Sequence, residues 1–150
     1  MSADDVALPP TAVLLTQVAH AEALAAACAL GKVPVDVVPS DIGAIAVCRD
    51  ATGEQPERAA AAVSQALANT MVVLLVHRGG RMSGSRWSGG TRGDDVSAVL
   101  MLDGAPAVVE QLLLGQVAAG DLPGVVTSVG MSRWRAARTL TAAARARRRG

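Results

Sequence analysis

His77 is the side chain best placed by the sequence to move a proton. It closes an apolar run, residues 71–77 (MVVLLVH), and enters an eighteen-residue insert, RGGRMSGSRWSGGTRGDD. Asp94 and Asp95 close that insert and precede a second apolar run, residues 96–102 (VSAVLML). If the two runs are strands that pair antiparallel, His77 meets Asp94 or Asp95 at the hairpin end, a pairing that general acid–base chemistry on a small anionic ligand could use. A plain salt bridge is the commoner outcome for such a pair. No other catalytic pattern is present. The chain contains no G-x-x-x-x-G-K-[ST] loop, no G-x-G-x-x-G after a strand and no G-x-S-x-G elbow. Nothing in it asks for a cofactor. His20, His77, Cys28 and Cys48 have none of the short spacings of metal ligands, so no metal site is expected.

The insert carries a second kind of chemistry. Arg78, Arg81, Arg86 and Arg92 alternate with glycines and serines around Trp87. Glycines let a backbone follow a phosphate surface, and an indole can stack on a base. The C-terminal segment repeats the theme. Arg135, Arg138, Arg145 and Arg149 fall within about 80° of one another on a helix of 3.6 residues per turn. Trp134, Ala137, Leu140 and Ala144 form a separate apolar arc, so one face is expected to dock while the arginines stay free for a partner. These nine side chains are the expected ligand- or partner-binding set. A third candidate, Thr127 to Ser132 at a helix start, could receive an anion, but Ser128 or Ser132 capping that helix is the preferred reading.

Charge is distributed unevenly along the chain. Residues 1–77 hold three basic and eight acidic side chains, net −5, and residues 78–150 hold eleven and five, net +6. Such polarity can steer an anionic partner or favour self-association of unlike faces. The two cysteines make no disulfide framework and fit reduced thiols. The acidic start has no signal-peptide pattern, and no apolar run is long enough to span a bilayer. These features lead to an expectation of a cytoplasmic protein without membrane contact.

The elements that must hold these groups can be read in order. Residues 1–10 read as a loose tail. Residues 12–30 read as one alanine-rich helix capped by Thr11, with a strand AVLLTQV followed by a helix from His20 as the competing parse. A strand at 33–38 contains Pro34, which suits a sheet edge, and a strand at 42–48 follows. Pro56 opens a helix that Asn69 can close. After the two apolar runs, a helix from Pro106 to about Ala119, a short strand at 125–129 and a basic helix at about 132–148 complete the chain.

From 42 to 129 this order is strand, helix, strand, strand, helix, strand, the pattern of an α+β ferredoxin-like split β-α-β core. The additional N-terminal helix and edge strand precede it, and the basic helix follows; a three-layer α/β arrangement is the alternative. One domain spans 1–150. The insert 78–95, with six glycines and little apolar surface, is expected to be a flexible loop, because ordering it is costly. The central strands are apolar on both faces, so neither face should meet water. With two helices covering only one face, a second copy is expected on the other. The functional expectation is a non-enzymatic interaction or structural module, a homo-oligomer with a mobile Gly/Arg loop that contacts a protein partner. Binding of nucleic acid or another polyanion by the loop and C-terminal arginines is the first alternative, and an enzyme acting near His77 is the second.

Overall fold

The computed structural model describes residues 9–67 and 70–149, with side chains of the last helix as far as Arg145. The expected tail (1–8) and the helix-closing role of Asn69 lie outside the described residues. The first strand, β1 (Thr11–Leu15), resolves the N-terminal ambiguity in favour of strand and helix, and α1 (Ala21–Leu30) starts only after His20. The physical reason is that Val13 and Leu15 pack into a core on one side and Ala12 and Leu14 into a core on the other. Alternation serves two opposed cores, and a helix at these residues would serve one.

Five more strands follow in sequence as β2 (Val35–Val38), β3 (Ile45–Cys48), β4 (Val72–Arg78), β5 (Arg81–Ser88) and β6 (Thr91–Val96), with α2 (Gln55–Ala66) between β3 and β4. Then come α3 (Ala98–Asp103), α4 (Ala107–Leu113), a 3-10 turn (Ala119–Asp121), β7 (Val126–Thr127) and α5 (Arg133–Arg149). The strands form one sheet in the order β6-β5-β4-β1-β3-β2-β7, with every pairing antiparallel. The class is therefore mixed α+β.

The ferredoxin-like order does not describe this sheet. Residues 96–102, expected to be a strand, turn into α3 after Val96, because Ser97 caps a helix there through its hydroxyl, which accepts from the Leu100 N–H. The strand that pairs with β4 comes from the insert instead. The expected helix 106–119 also breaks early, at Leu113.

Both faces of the sheet are covered by the chain itself. On one, Leu14, Val37, Val72 and Leu74 pack with α1 and α2. On the other, Val13, Ile45, Val73 and Leu75 pack with α3, α4 and the segment leading to β7. The Thr11 hydroxyl donates to the Leu113 carbonyl and ties α4 to the first strand. The two-sided apolar pattern of residues 71–77 was thus a correct sign of two covered faces, whereas that of 96–102 belongs to helix α3; the covering of the second face comes from residues 98–125 rather than from a second copy.

α1 is covered on two opposite sides, and Glu22 in its first turn is its one exposed side chain. Ala21, Leu24, Ala25 and Cys28 face the sheet, while Ala23, Ala26 and Ala27 are buried on the other side, where α5 lies across them. Alanine on this outer side lets α5 approach closely.

Candidate functional site

The expected flexible loop is a pair of ordered strands. Gly79-Gly80 and Gly89-Gly90 are two-residue turns, with φ of 58° and 76° in the first and 56° and 85° in the second. Two positive φ values in succession match the hairpin turn whose twist suits antiparallel strands, and glycine adopts them without steric cost. Arg78 faces Arg81 across the first turn and Ser88 faces Thr91 across the second. Backbone ladders therefore repay the ordering cost that the missing apolar side chains could not.

Trp87 supplies the rest. It is only 8% exposed, packs into the core beneath α2, and donates from Nε1 to the Ser85 hydroxyl at 2.9 Å. The Ser64 hydroxyl of α2 accepts from the Gly90 N–H at 3.0 Å and fastens the second turn. Trp87 is therefore a core residue here, and its ring is not presented for stacking on a base.

The arginines of this meander separate into different roles. The Arg78 guanidinium donates to the Ala51 and Gly53 carbonyls, both at 2.9 Å, and clamps the loop before α2. Arg92 pairs with Asp95 at 2.8 Å. Arg81 and Arg86 are exposed. Their register puts Arg81 on the α2 side of the sheet, opposite Arg78, and Arg86 on the other side, opposite Val73. No single face carries all four.

The acid–base pair imagined for His77 is not assembled. His77 faces Met82 on β5, whereas Asp95 of β6 faces Ser85, three residues further along. Two strand spacings sideways and three residues lengthwise separate them by roughly 14 Å. Ser85 in turn faces Leu74, so Asp95 and His77 also lie on opposite sides of the sheet. Asp94, its exposed neighbour, lies beside a register shift between Ser85 and Trp87 and likewise has β5 between it and His77.

Other groups with chemical potential have structural work. Burial pushes the Cys28 thiol well above its ordinary range. Burial, with the nearby Asp50 and Glu57 carboxylates, pushes Cys48 up to about 12. Both thiols stay protonated at neutral pH and are poor nucleophiles. Asp36 holds Arg49 in a forked pair at 2.8 Å, raising the guanidinium pKa further through hydrogen bonding and charge, and Arg49 also donates to the Thr127 hydroxyl. This joins β2, β3 and β7. The Thr52 hydroxyl and N–H both donate to Asp50 and hold its carboxyl below the usual range.

Among the described residues, no three His, Cys, Asp or Glu side chains gather as a metal site. A cavity of about 280 Å³ beside Lys32, Cys48, Asp50 and Arg58, and a more open one of about 450 Å³ beside Glu57, Trp87 and Arg92, contain no nucleophile–base pair. Glu57 Oε2 has no hydrogen-bond partner, but water cannot reach it, so no ligand contacts it without rearrangement.

The anion site considered at 127–132 is used internally. The buried Ser128 hydroxyl donates to the Val33 carbonyl at 2.7 Å and accepts from the Val35 N–H at 2.9 Å. Ser132 caps α5 by accepting from the Arg135 N–H at 3.1 Å.

α5 is the segment left with free chemistry. Ala136 is fully buried and Thr139, Leu140, Ala143 and Ala144 are half-buried, so this side of the helix lies on α1. The docking arc is rotated from the one expected. Trp134, assigned to the apolar arc, is 75% exposed, and Ala137 is exposed as well. At 3.6 residues per turn, Trp134, Arg138, Thr141 and Arg145 fall within about 60° of one another, roughly opposite the docked side. Arg135 is exposed on one flank; the side chain of Arg149 lies outside the described residues. Neither ion pair among the described residues involves α5.

The sequence clue to this stripe was the i, i+4, i+7, i+11 spacing of Trp134, Arg138, Thr141 and Arg145. Assigning tryptophan to the core by default obscured it. α5 lies over α1, which contacts β2, β3 and β7, while α2 covers β4 to β6. The basic helix and the arginine-bearing meander thus lie toward opposite edges of the sheet and do not form one surface.

No helix among the described residues is long and apolar enough to cross a membrane. No protein-family model matches the chain, and comparisons with curated proteins and with solved structures likewise give no match.

Proposed function

We propose that this protein is a non-enzymatic interaction module and that the outer face of α5 is its contact surface. The observation that carries this reading is the stripe of Trp134, Arg138 and Arg145 opposite the docked side of the helix, with the indole 75% exposed. Arginine and tryptophan are the residue types that most often dominate binding energy at interfaces. Exposing a tryptophan to water forfeits the burial that would stabilise the fold. The body of the domain supplies rigidity, since α1 is held between the sheet and α5.

The partner this face accepts is anionic. Residues 122–150 contain seven arginines and no acidic side chain, so like charges concentrate there with no internal counterion. Calorimetric titration with inorganic polyphosphate at low salt tests the reading. The wild-type protein should bind, Arg138→Gln/Arg145→Gln should weaken binding severalfold, and Arg81→Gln/Arg86→Gln should leave it unchanged. Loss of binding in the β5 pair but not in the α5 pair, or no binding by the wild type, would overturn it.

A further inference from the structure

We infer that the anionic partner is a single-stranded nucleic acid, held by arginine–phosphate contacts along α5 and by stacking of a base on Trp134. This rests on the assignment of α5 as the contact surface and goes beyond it by naming the ligand.

Three observations narrow the class. The first is the choice of cation. The chain has a single lysine, Lys32, and all seven basic residues after Asp121 are arginine. The guanidinium is planar, matches phosphate oxygens in a fork and stacks on bases, whereas an ammonium is a hydrated point charge.

The second is the position of the indole. Trp134 stands in the first turn of α5, one turn before Arg138 and on the same side of the helix. Arg145 continues that side about 10 Å further along the axis. An aromatic face next to a line of cations is the pairing that single strands use, because their bases can leave the stack and lie on a ring. A duplex keeps its base faces covered and leaves the indole without a partner.

The third observation removes a lipid surface. An interfacial helix buries a continuous apolar face among lipid headgroups. In α5 the side bearing Ala136, Leu140, Ala143 and Ala144 is turned toward α1, so the outer face offers one indole among charges.

The tryptophan count makes the test clean. The chain has two tryptophans and no tyrosine or phenylalanine, and Trp87 is buried. Quenching of intrinsic emission on binding therefore reports Trp134, with the Trp134→Ala protein as the Trp87-only background. The probes are a fluorescein-labelled thymidine oligonucleotide for anisotropy and unlabelled thymidine oligonucleotide for quenching. Duplex of equal length, inorganic polyphosphate and phosphatidylserine-containing vesicles serve as competitors.

The oligonucleotide should bind, quench Trp134 and be displaced less effectively by duplex, polyphosphate or vesicles than by itself. Trp134→Ala should weaken oligonucleotide binding roughly 5- to 150-fold, the range given by loss of one stacked base, while polyphosphate binding stays constant. Trp134→Phe should recover most of the loss. Arg138→Gln and Arg145→Gln should each lower the salt slope by about 0.7, the value for one contact to a single strand.

Equal affinity for polyphosphate and oligonucleotide, with no effect of Trp134→Ala, would overturn the nucleic-acid assignment while leaving α5 as an anion-binding surface. Preference for duplex or for vesicles would overturn it too. Binding indifferent to both arginine substitutions would overturn the assignment of α5 itself. The substituted residues are exposed, so coincident thermal unfolding curves are expected and would show that the fold is kept.

Discussion

Two segments of this protein are rich in arginine, contain one tryptophan each and look alike as text, yet the fold uses them in opposite ways. In the β4–β6 meander, Trp87 is 8% exposed, Arg78 clamps two carbonyls and Arg92 is paired with Asp95. In α5, Trp134 is 75% exposed, and Arg138 and Arg145 make no ion pair with a described side chain. Composition was the same kind of signal in both. What separates them is backbone pairing. The meander lies beside β4, so its alternate residues must face α2 or the opposite layer, and the residue opposite Val72 is forced into the core. α5 is an added outer layer on a helix already packed against the sheet, so only one of its sides can be covered.

The largest test of this contrast compares the tryptophans. Trp87→Ala should lower unfolding free energy by about 3–5 kcal/mol, the range for removing a large buried aromatic. Trp134→Ala should change it by no more than about 0.5 kcal/mol, as expected for an exposed site. Urea titrations followed by circular dichroism measure both without relying on tryptophan emission. Similar costs for the two substitutions would dissolve the distinction.

Gly84 probes how tightly the meander is closed. A Cβ there would meet Val96 Cγ2 at 2.8 Å and the Val96 carbonyl oxygen at 2.9 Å. Gly84→Ala should therefore destabilise the protein by about 1–3 kcal/mol through overpacking. Hydrogen exchange should show faster opening of β5 and β6 than of β1. A neutral Gly84→Ala would mean that β6 sits more loosely on the sheet than its register indicates.

The smallest effect separates arginine from arginine. Arg78→Ala removes two charge-assisted hydrogen bonds to backbone carbonyls, and a loss of about 1.5 kcal/mol is expected. Arg138→Ala, which frees no buried acceptor, should fall within about 0.5 kcal/mol of wild type. Chemical denaturation of the two variants side by side decides it, and equal values would show that the Arg78 clamp contributes nothing in solution.

Several features were legible without coordinates. The two-sided apolar run at 71–77 marked a sheet with both faces covered, Pro56 marked the start of α2, and the run of arginines after Gly130 marked a basic terminal helix. The two Gly-Gly pairs were also in plain view. They sit at two-residue hairpin turns, a known local signal, and treating the whole insert as a glycine-rich loop concealed it. Local chemistry determines where a chain can turn, because positive φ at successive residues is open to glycine and costly for other side chains.

Tertiary structure alone decided which strands are neighbours and which sides of the helices are covered. Nothing local places β1 between β4 and β3, yet that position gives Thr11–Leu15 two cores to fill and makes it a strand. The separation of His77 from Asp95 depends in the same way on β5 standing between their strands. For α5, several rotations would bury some alanine. The one adopted turns Ala136 onto the alanine side of α1 and leaves Trp134 in water. Side-chain periodicity defines the faces of an element, but the partner that each face meets depends on contacts distant in sequence, which no local pattern specifies.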